Sequence, residues 1–136
     1  MADFKLSISY VADLPNDYLA KYGLRPLSYK YYIENVESKD DGFNSISAKD
    51  FYDKLLGGKE PVTSQVNASE YVELFTEYLD AGFDILHIEF SSGLSGSYNS
   101  ARIAVDELKE KYPKRKIILI DSLCASLGYG LLVNEA

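Results

Sequence analysis

The spacing of apolar positions changes several times along the chain, and each change marks an element. Lys5 to Val11 alternates Leu6 and Ile8 with Ser7 and Ser9, the period-two pattern of a strand. Asp13-Leu14-Pro15 predicts a helix start, because proline lacks only an N–H that the first turn does not use. That helix carries Tyr18, Leu19 and Tyr22 and stops at Gly23. Leu24 to Ile33 predicts a second extended stretch, entered through Pro26, and the acidic segment Glu34 to Asn44 predicts a loop or hairpin. Ser47 to Leu56 predicts a short helix with Phe51, Leu55 and Leu56 on one face, capped by Ser47 and favoured by Asp50 at its positive end.

Pro61 to Gln65 reads as a loop, and Asn67 to Leu79 as a helix with Asn67 and Glu70 at capping-box spacing. Its stripe is Tyr71, Phe75, Tyr78 and Leu79, and Gly82 closes it. Asp84 to Phe90 predicts a strand, Ser91 to Gly96 a turn, and Ser97 to Tyr112 a helix buried through Tyr98, Ala101, Val105, Leu108 and Tyr112, ended by Pro113. Lys116 to Asp121 carries four consecutive apolar residues, as a strand covered on both faces requires. Ser122 to Ala136 reads as a helix that the end of the chain interrupts. Strands alternating with helices specify an α/β domain, with a mostly parallel sheet and helices on both faces.

A length of 136 residues allows one domain, and no linker, repeat or low-complexity tract divides it. Twenty-one acidic residues against fourteen basic ones give a formal charge of −7, which argues against a nucleic-acid partner. The basic run Lys114-Arg115-Lys116 fits a solvated turn. No apolar run approaches the length of a membrane span, and Met1 to Phe4 lacks the basic-then-apolar pattern of a secretory leader, so a cytoplasmic protein is expected. The single cysteine, Cys124, cannot form an internal disulfide, and the single histidine, His87, cannot anchor a structural zinc site unaided.

Chemistry points to three hydroxyl-rich loops: Thr63-Ser64-Gln65, Ser91 to Ser97, and Asp121-Ser122. In open α/β sheets, ligands sit outside the carboxyl ends of strands, where helix N-termini offer free N–H groups to anions. The hydroxyls of these three loops, with the backbone bared at Gly93 and Gly96, would hold a carboxylate or phosphate without a lysine or arginine. The same residues also suit helix caps and turns, and pattern alone leaves both readings open. Gly93-Leu94-Ser95-Gly96-Ser97 resembles a nucleophile elbow, but Ser97 stands where the second glycine belongs and His87 precedes the serine. Without a neighbouring base, Ser95 is a poor nucleophile. No phosphate-binding loop is present, and Gly128-Tyr129-Gly130 fits close helix packing better than a dinucleotide fingerprint. Cys124 reads as a packed residue more readily than as an activated thiol.

Thr63-Ser64-Gln65, Ser91-Ser92-Gly93-Leu94-Ser95-Gly96-Ser97-Tyr98 with Ser100-Ala101, and Ile120-Asp121-Ser122 with Gly128 and Gly130 resemble, in that order, the DegV family. Asp13-Leu14-Pro15, Pro26-Leu27 and Phe51-Tyr52 fit as well, so the resemblance extends over essentially the whole chain. It implies a DegV-like N-terminal α/β domain and a non-catalytic protein that binds one long-chain fatty acid, with no cofactor. It also implies presentation of that acid, in the manner of FakB, to a separate fatty acid kinase catalytic subunit (FakA-like). Thr63 and Ser95 would hydrogen-bond the carboxylate, the Gly96 amide would add a donor, and Ser64, Ser92 and Ser122 are secondary candidates.

This chain departs from the family where Ser9 and Tyr10 replace an Asp-Ser pair, so that Tyr10 narrows the head-group pocket. The resemblance further implies a second domain that completes the acyl pocket. The expectation is therefore a chain truncated within the helix beginning near 122, whose apolar domain face is exposed or covered by self-association. Two rival readings are an enzyme of small anions using Ser95 or Thr63, and a stand-alone interaction module that has lost its ligand.

Overall fold

Two small sheets carry the architecture. The computed structural model describes residues 3–136; Met1 and Ala2, half of the start read above for a leader, lie outside the described residues. The central sheet is parallel, in the order β1 (Phe4–Ser7), β5 (Asp84–Glu89), β6 (Ile117–Asp121). The second is antiparallel, with β2 (Lys30–Ile33) between β3 (Val36–Lys39) and β4 (Val62–Ser64). Among the described residues, five α-helices complete the fold: α1 (Asn16–Tyr22), α2 (Ala48–Leu56), α3 (Ala68–Asp80), α4 (Ser97–Lys111) and α5 (Ser126–Glu135).

Strand alternation divides the core into two layers. Ile85, Ile117 and Leu119 face α3 and α4, packing with Tyr71, Phe75, Tyr78, Leu79, Ala101, Val105 and Leu108. Ile8, Ile88 and Ile120 face the other way, toward Ala12, Leu19, Tyr129 and Val133. Period two therefore puts His87 and Glu89 on the Ile85 face, beneath α3. Both are fully buried, unlike ordinary surface polar residues.

The element pattern holds with three local differences, and the loop-or-hairpin choice after Ile33 is decided. The first strand stops at Ser7, and Tyr10–Ala12 forms a single 3-10 turn, because Tyr10 N–H is drawn to the Leu27 carbonyl across a short parallel bridge. The acidic segment after Ile33 is a hairpin turning on Glu34 and Asn35, both left-handed at φ 52° and 63°, the geometry that matches strand twist. Residues 62–64, expected as loop, pair with β2 and place Thr63 opposite Tyr31. The last helix begins at Ser126, four residues later than expected, because Ser122 Oγ accepts from Cys124 N–H and donates to its carbonyl, closing a tight turn.

Helix ends follow the expected chemistry at Ser47, whose hydroxyl accepts from Asp50 N–H at 3.0 Å, and at Glu70, which accepts from Asn67 N–H at 2.9 Å. The second layer is incompletely covered: Ile118 is 52% exposed, and Leu123, Leu127 and Leu131 also face outward. Among the described residues no helix is long and apolar enough to cross a membrane.

Gly130 fixes how α5 seats on the 3-10 turn. A Cβ there would lie 2.8 Å from the Ala12 carbonyl oxygen and 3.2 Å from Leu14, so backbone would have to move. We expect Gly130→Ala to cost about 1–3 kcal/mol through overpacking, read as a lower urea midpoint with an unchanged slope.

Candidate functional site

The antiparallel hairpin, α2 and the turn after β1 enclose a cleft of about 720 Å³ beside the carboxyl end of β5. Its walls are largely apolar: Leu14, Tyr31, Phe43, Ile46, Phe51 and Phe90 line it. Phe51 anchors the aromatic wall edge-on to Tyr31 at 5.5 Å and to Tyr52 at 5.4 Å. α2 buries no residue fully: Phe51 of its apolar face lines this cleft, and Leu56 is left 86% exposed.

Thr63, Ser64 and Ser95 line the same cleft, although 31 to 32 positions of sequence separate the two loops. Two links stitch those loops together: Val66 N–H donates to Ser97 Oγ at 3.1 Å, and Gln65 Nε2 donates to Ser100 Oγ at 3.1 Å. Gly96 is exposed and outside the cleft lining, and a Cβ on it would lie 2.1 Å from Gln65 Oε1, so its bareness lets the loops approach. Ser92 and Ser122 also fall outside the lining. Ser92 offers its N–H to Asp121, and Ser122 is spent on the Cys124 turn. Cys124 is half-buried beside that turn. Ser95 caps α4 as well, since its Oγ accepts from Ser97 N–H at 3.1 Å. Cap and cleft residue are thus one and the same hydroxyl.

Behind the cleft lies a polar network that pattern reading missed. Glu89 Oε1 accepts from Phe90 N–H at 2.8 Å and from the hydroxyls of Ser9 and Tyr29 at 3.4 Å. Its Oε2 accepts from the Tyr71 hydroxyl and faces His87 Nε2 at 2.9 Å. His87 Nδ1 in turn meets Ser7 Oγ at 2.9 Å, because the parallel register sets Ser7 opposite His87. Burial alone would push the Glu89 carboxyl up; hydrogen bonds from His87, Tyr71 and Phe90, with the attraction of His87, outweigh it and hold it below the usual carboxylate range. Burial, then the Glu89 charge, pushes the Tyr29 phenol up to about 12. Tyr71 and Tyr129 are raised further, for the same two reasons.

One signal could have found this network: two polar residues at i and i+2 in an otherwise apolar strand, on the face that carries Ile85. Both nitrogens of His87 are engaged away from Ser95, Nδ1 with Ser7 and Nε2 with Glu89. Tyr10 lines the cleft, as its place in the first loop implied. Among the described residues no group of three or more His, Cys, Asp or Glu is placed to hold a metal ion.

The family model described as "Uncharacterised protein, DegV family" matches residues 10–136. This chain belongs to the DegV family. A DegV domain-containing protein of Clostridium perfringens (strain 13 / Type A) is 43% identical over 136 residues, which are 100% of this chain and 47% of that relative. The DegV domain-containing protein YteA of Lactococcus lactis subsp. lactis (strain IL1403) is 33% identical over 97% of this chain and 46% of its own length. The chain thus spans about half the length of the curated DegV relatives it matches.

Among solved structures, a fatty-acid-binding DegV family protein from Thermus thermophilus superposes with a TM-score of 0.84 at 26% identity, over 99% of this chain and 46% of that one. A stearic-acid-binding protein from Eubacterium ventriosum ATCC 27560 reaches 0.87 at 24% identity, over 97% and 45%. The Streptococcus pneumoniae fatty acid kinase B3 protein loaded with linoleic acid reaches 0.77 at 20% identity, over 98% and 46%. The last two likenesses establish the DegV N-terminal fold.

Proposed function

We propose that this chain binds the head group and proximal chain of a long-chain fatty acid in the cleft, as a non-catalytic, cytoplasmic binding protein of the FakB type. The observation that carries the reading is an aromatic and aliphatic cleft whose lining also includes Thr63, Ser64 and Ser95. Burying methylenes is worth roughly 0.8 kcal/mol each, so the walls supply affinity and the hydroxyls supply orientation. The fatty acid named for the Thermus thermophilus relative is the ligand class this cleft chemistry suits. In the whole protein the bound acid would pass to a separate kinase catalytic subunit, as the likeness to the Streptococcus pneumoniae kinase B3 protein supports.

The rival enzyme reading lacks a base for Ser95, because the only histidine is buried and occupied by Ser7 and Glu89. Calorimetry with palmitate or oleate on the 136-residue chain is expected to show weak binding. Ser95→Ala is expected to weaken it about tenfold further, the loss of one head-group hydrogen bond. Tight one-to-one binding would show that these residues enclose the whole acyl chain unaided. Unchanged affinity in Ser95→Ala and Thr63→Ala together would remove the head-group assignment.

A further inference from the structure

Gly128 and Gly130 sit two residues apart in α5, and only one of them is required by the fold itself. A Cβ on Gly130 would press to 2.8 Å from the Ala12 carbonyl oxygen. A Cβ on Gly128 would meet nothing closer than Cys124 Cβ at 3.5 Å, an ordinary contact, and Gly128 is not in the left-handed region. Glycine in a helix is less stable than alanine, so nothing within this chain accounts for Gly128. Gly128 is exposed, and its bareness suits a close approach from outside.

The surface around Gly128 shows what could approach. Leu127 and Leu131, four apart and therefore on one side of the helix, are 64% and 69% exposed. Leu132 borders them, and Leu123, on the turn before α5, is 75% exposed. Leu123 is held at φ 53°, a left-handed value that strains a bulky side chain. With Tyr129 and Val133 buried on the inner side, α5 is apolar all round, the pattern of a helix covered on every side. No charge interrupts this face: Ser122 to Asn134 carries none, where a chain 26% charged would place about three. None of these residues lines the cleft. A bilayer surface is a poor match, because helices that lie on membranes pair their apolar side with lysine or arginine, and α5 has neither.

We infer that the outer face of α5 is a contact between two copies of this chain, related by a two-fold axis. Such a contact uses the same patch twice, so the patch must hold both a projection and a hollow. Leu127 and Leu131 form the ridge, and the bare backbone at Gly128 opens the hollow beside it. Ridges of this spacing interlock when the helix axes cross at about −50°, roughly 8–10 Å apart, and glycine admits the closer end of that range. Electrostatics favour the same occupant. Copies of formal charge −7 repel wherever acidic groups meet, and the centre of this face brings none to the contact.

Sedimentation equilibrium of the 136-residue chain, from micromolar to submillimolar concentration, tests this. A reversible monomer–dimer equilibrium is expected. Leu131→Glu, at an exposed site and with folding checked by circular dichroism, is expected to weaken the dimer about a hundredfold by burying a charge at its centre. Gly128→Ala separates a fitted contact from general stickiness. It is expected to weaken the dimer about tenfold, while the urea midpoint of the dilute monomer stays level or rises. A chain that remains monomeric at the highest concentration overturns the inference, as does a dimer that tolerates both substitutions. Association that grows beyond the dimer and ignores Gly128→Ala is nonspecific, and overturns it too. Fatty-acid binding stands or falls separately, because the cleft and this face share no residue.

Discussion

Glu89→Ala should destabilise the fold by about 3–5 kcal/mol, enough to lower the melting temperature by roughly 10 °C or more. The side chain is fully buried and every group around it is a donor: Phe90 N–H, Tyr71, His87, Ser9 and Tyr29. Truncation would leave several of those donors without an acceptor in a region that excludes water. Glu89→Gln keeps the volume but turns an NH2 toward donors, so a smaller loss is expected. Total stability for a domain of this kind is about 5–15 kcal/mol, and the glutamine variant remains measurable should the alanine variant fail to fold.

The same carboxyl predicts acid lability, with a definite sign. Its folded value is depressed below the ordinary 4.5, so its contribution is fully present above that pH and is lost as pH falls through the lower folded value. Denaturant titrations from pH 7 to pH 3 should show stability falling below about pH 4.5. Glu89→Gln should flatten that fall. A variant as acid-sensitive as the parent would show that other carboxylates set the limit.

Phe75→Ala should cost a similar 3–5 kcal/mol, by a different route. Phe75 is fully buried on α3, with its ring centroid 5.2 Å from that of His87 and 5.9 Å from that of Tyr71. It is the apolar cover over the Glu89 network. Removing it deletes transfer energy and leaves a void flanked by polar groups, large enough in kind to admit water. Chemical denaturation should report the loss as a lower midpoint. Phe75→Leu, which refills most of the space, should recover much of it. Equal losses in the two variants would mean that the cost lies in the aromatic contacts and not in the cavity.

These expectations draw on different levels of information. The stripe Tyr71, Phe75, Tyr78 and Leu79 and the consecutive isoleucines of β6 were legible because a helix or strand writes its own period into neighbouring residues. The Thr63 and Ser95 loops were legible as hydroxyl-rich segments, and the resemblance to the DegV family implied a shared ligand for them. Residues 62–64 were not legible as a strand. Three residues carry too little periodicity, and their pairing partner, β2, lies some thirty positions away. The Glu34–Asn35 turn was legible only as a loop or hairpin, since it lacks the glycine that usually announces such geometry.

Periodicity and caps along the chain were enough to specify an α/β domain, its two apolar faces and the turns that carry its hydroxyls. Which polar groups meet was settled by packing. Tyr29 reaches Glu89 across 60 positions and Ser95 across 66, and Ser9 reaches Glu89 across 80. No local pattern encodes such meetings, because a hydrogen bond between distant segments depends on sheet register and helix seating. Those are properties of the assembled core, and they gather Ser9, Tyr29 and Tyr71 around one buried carboxylate beside an apolar cleft.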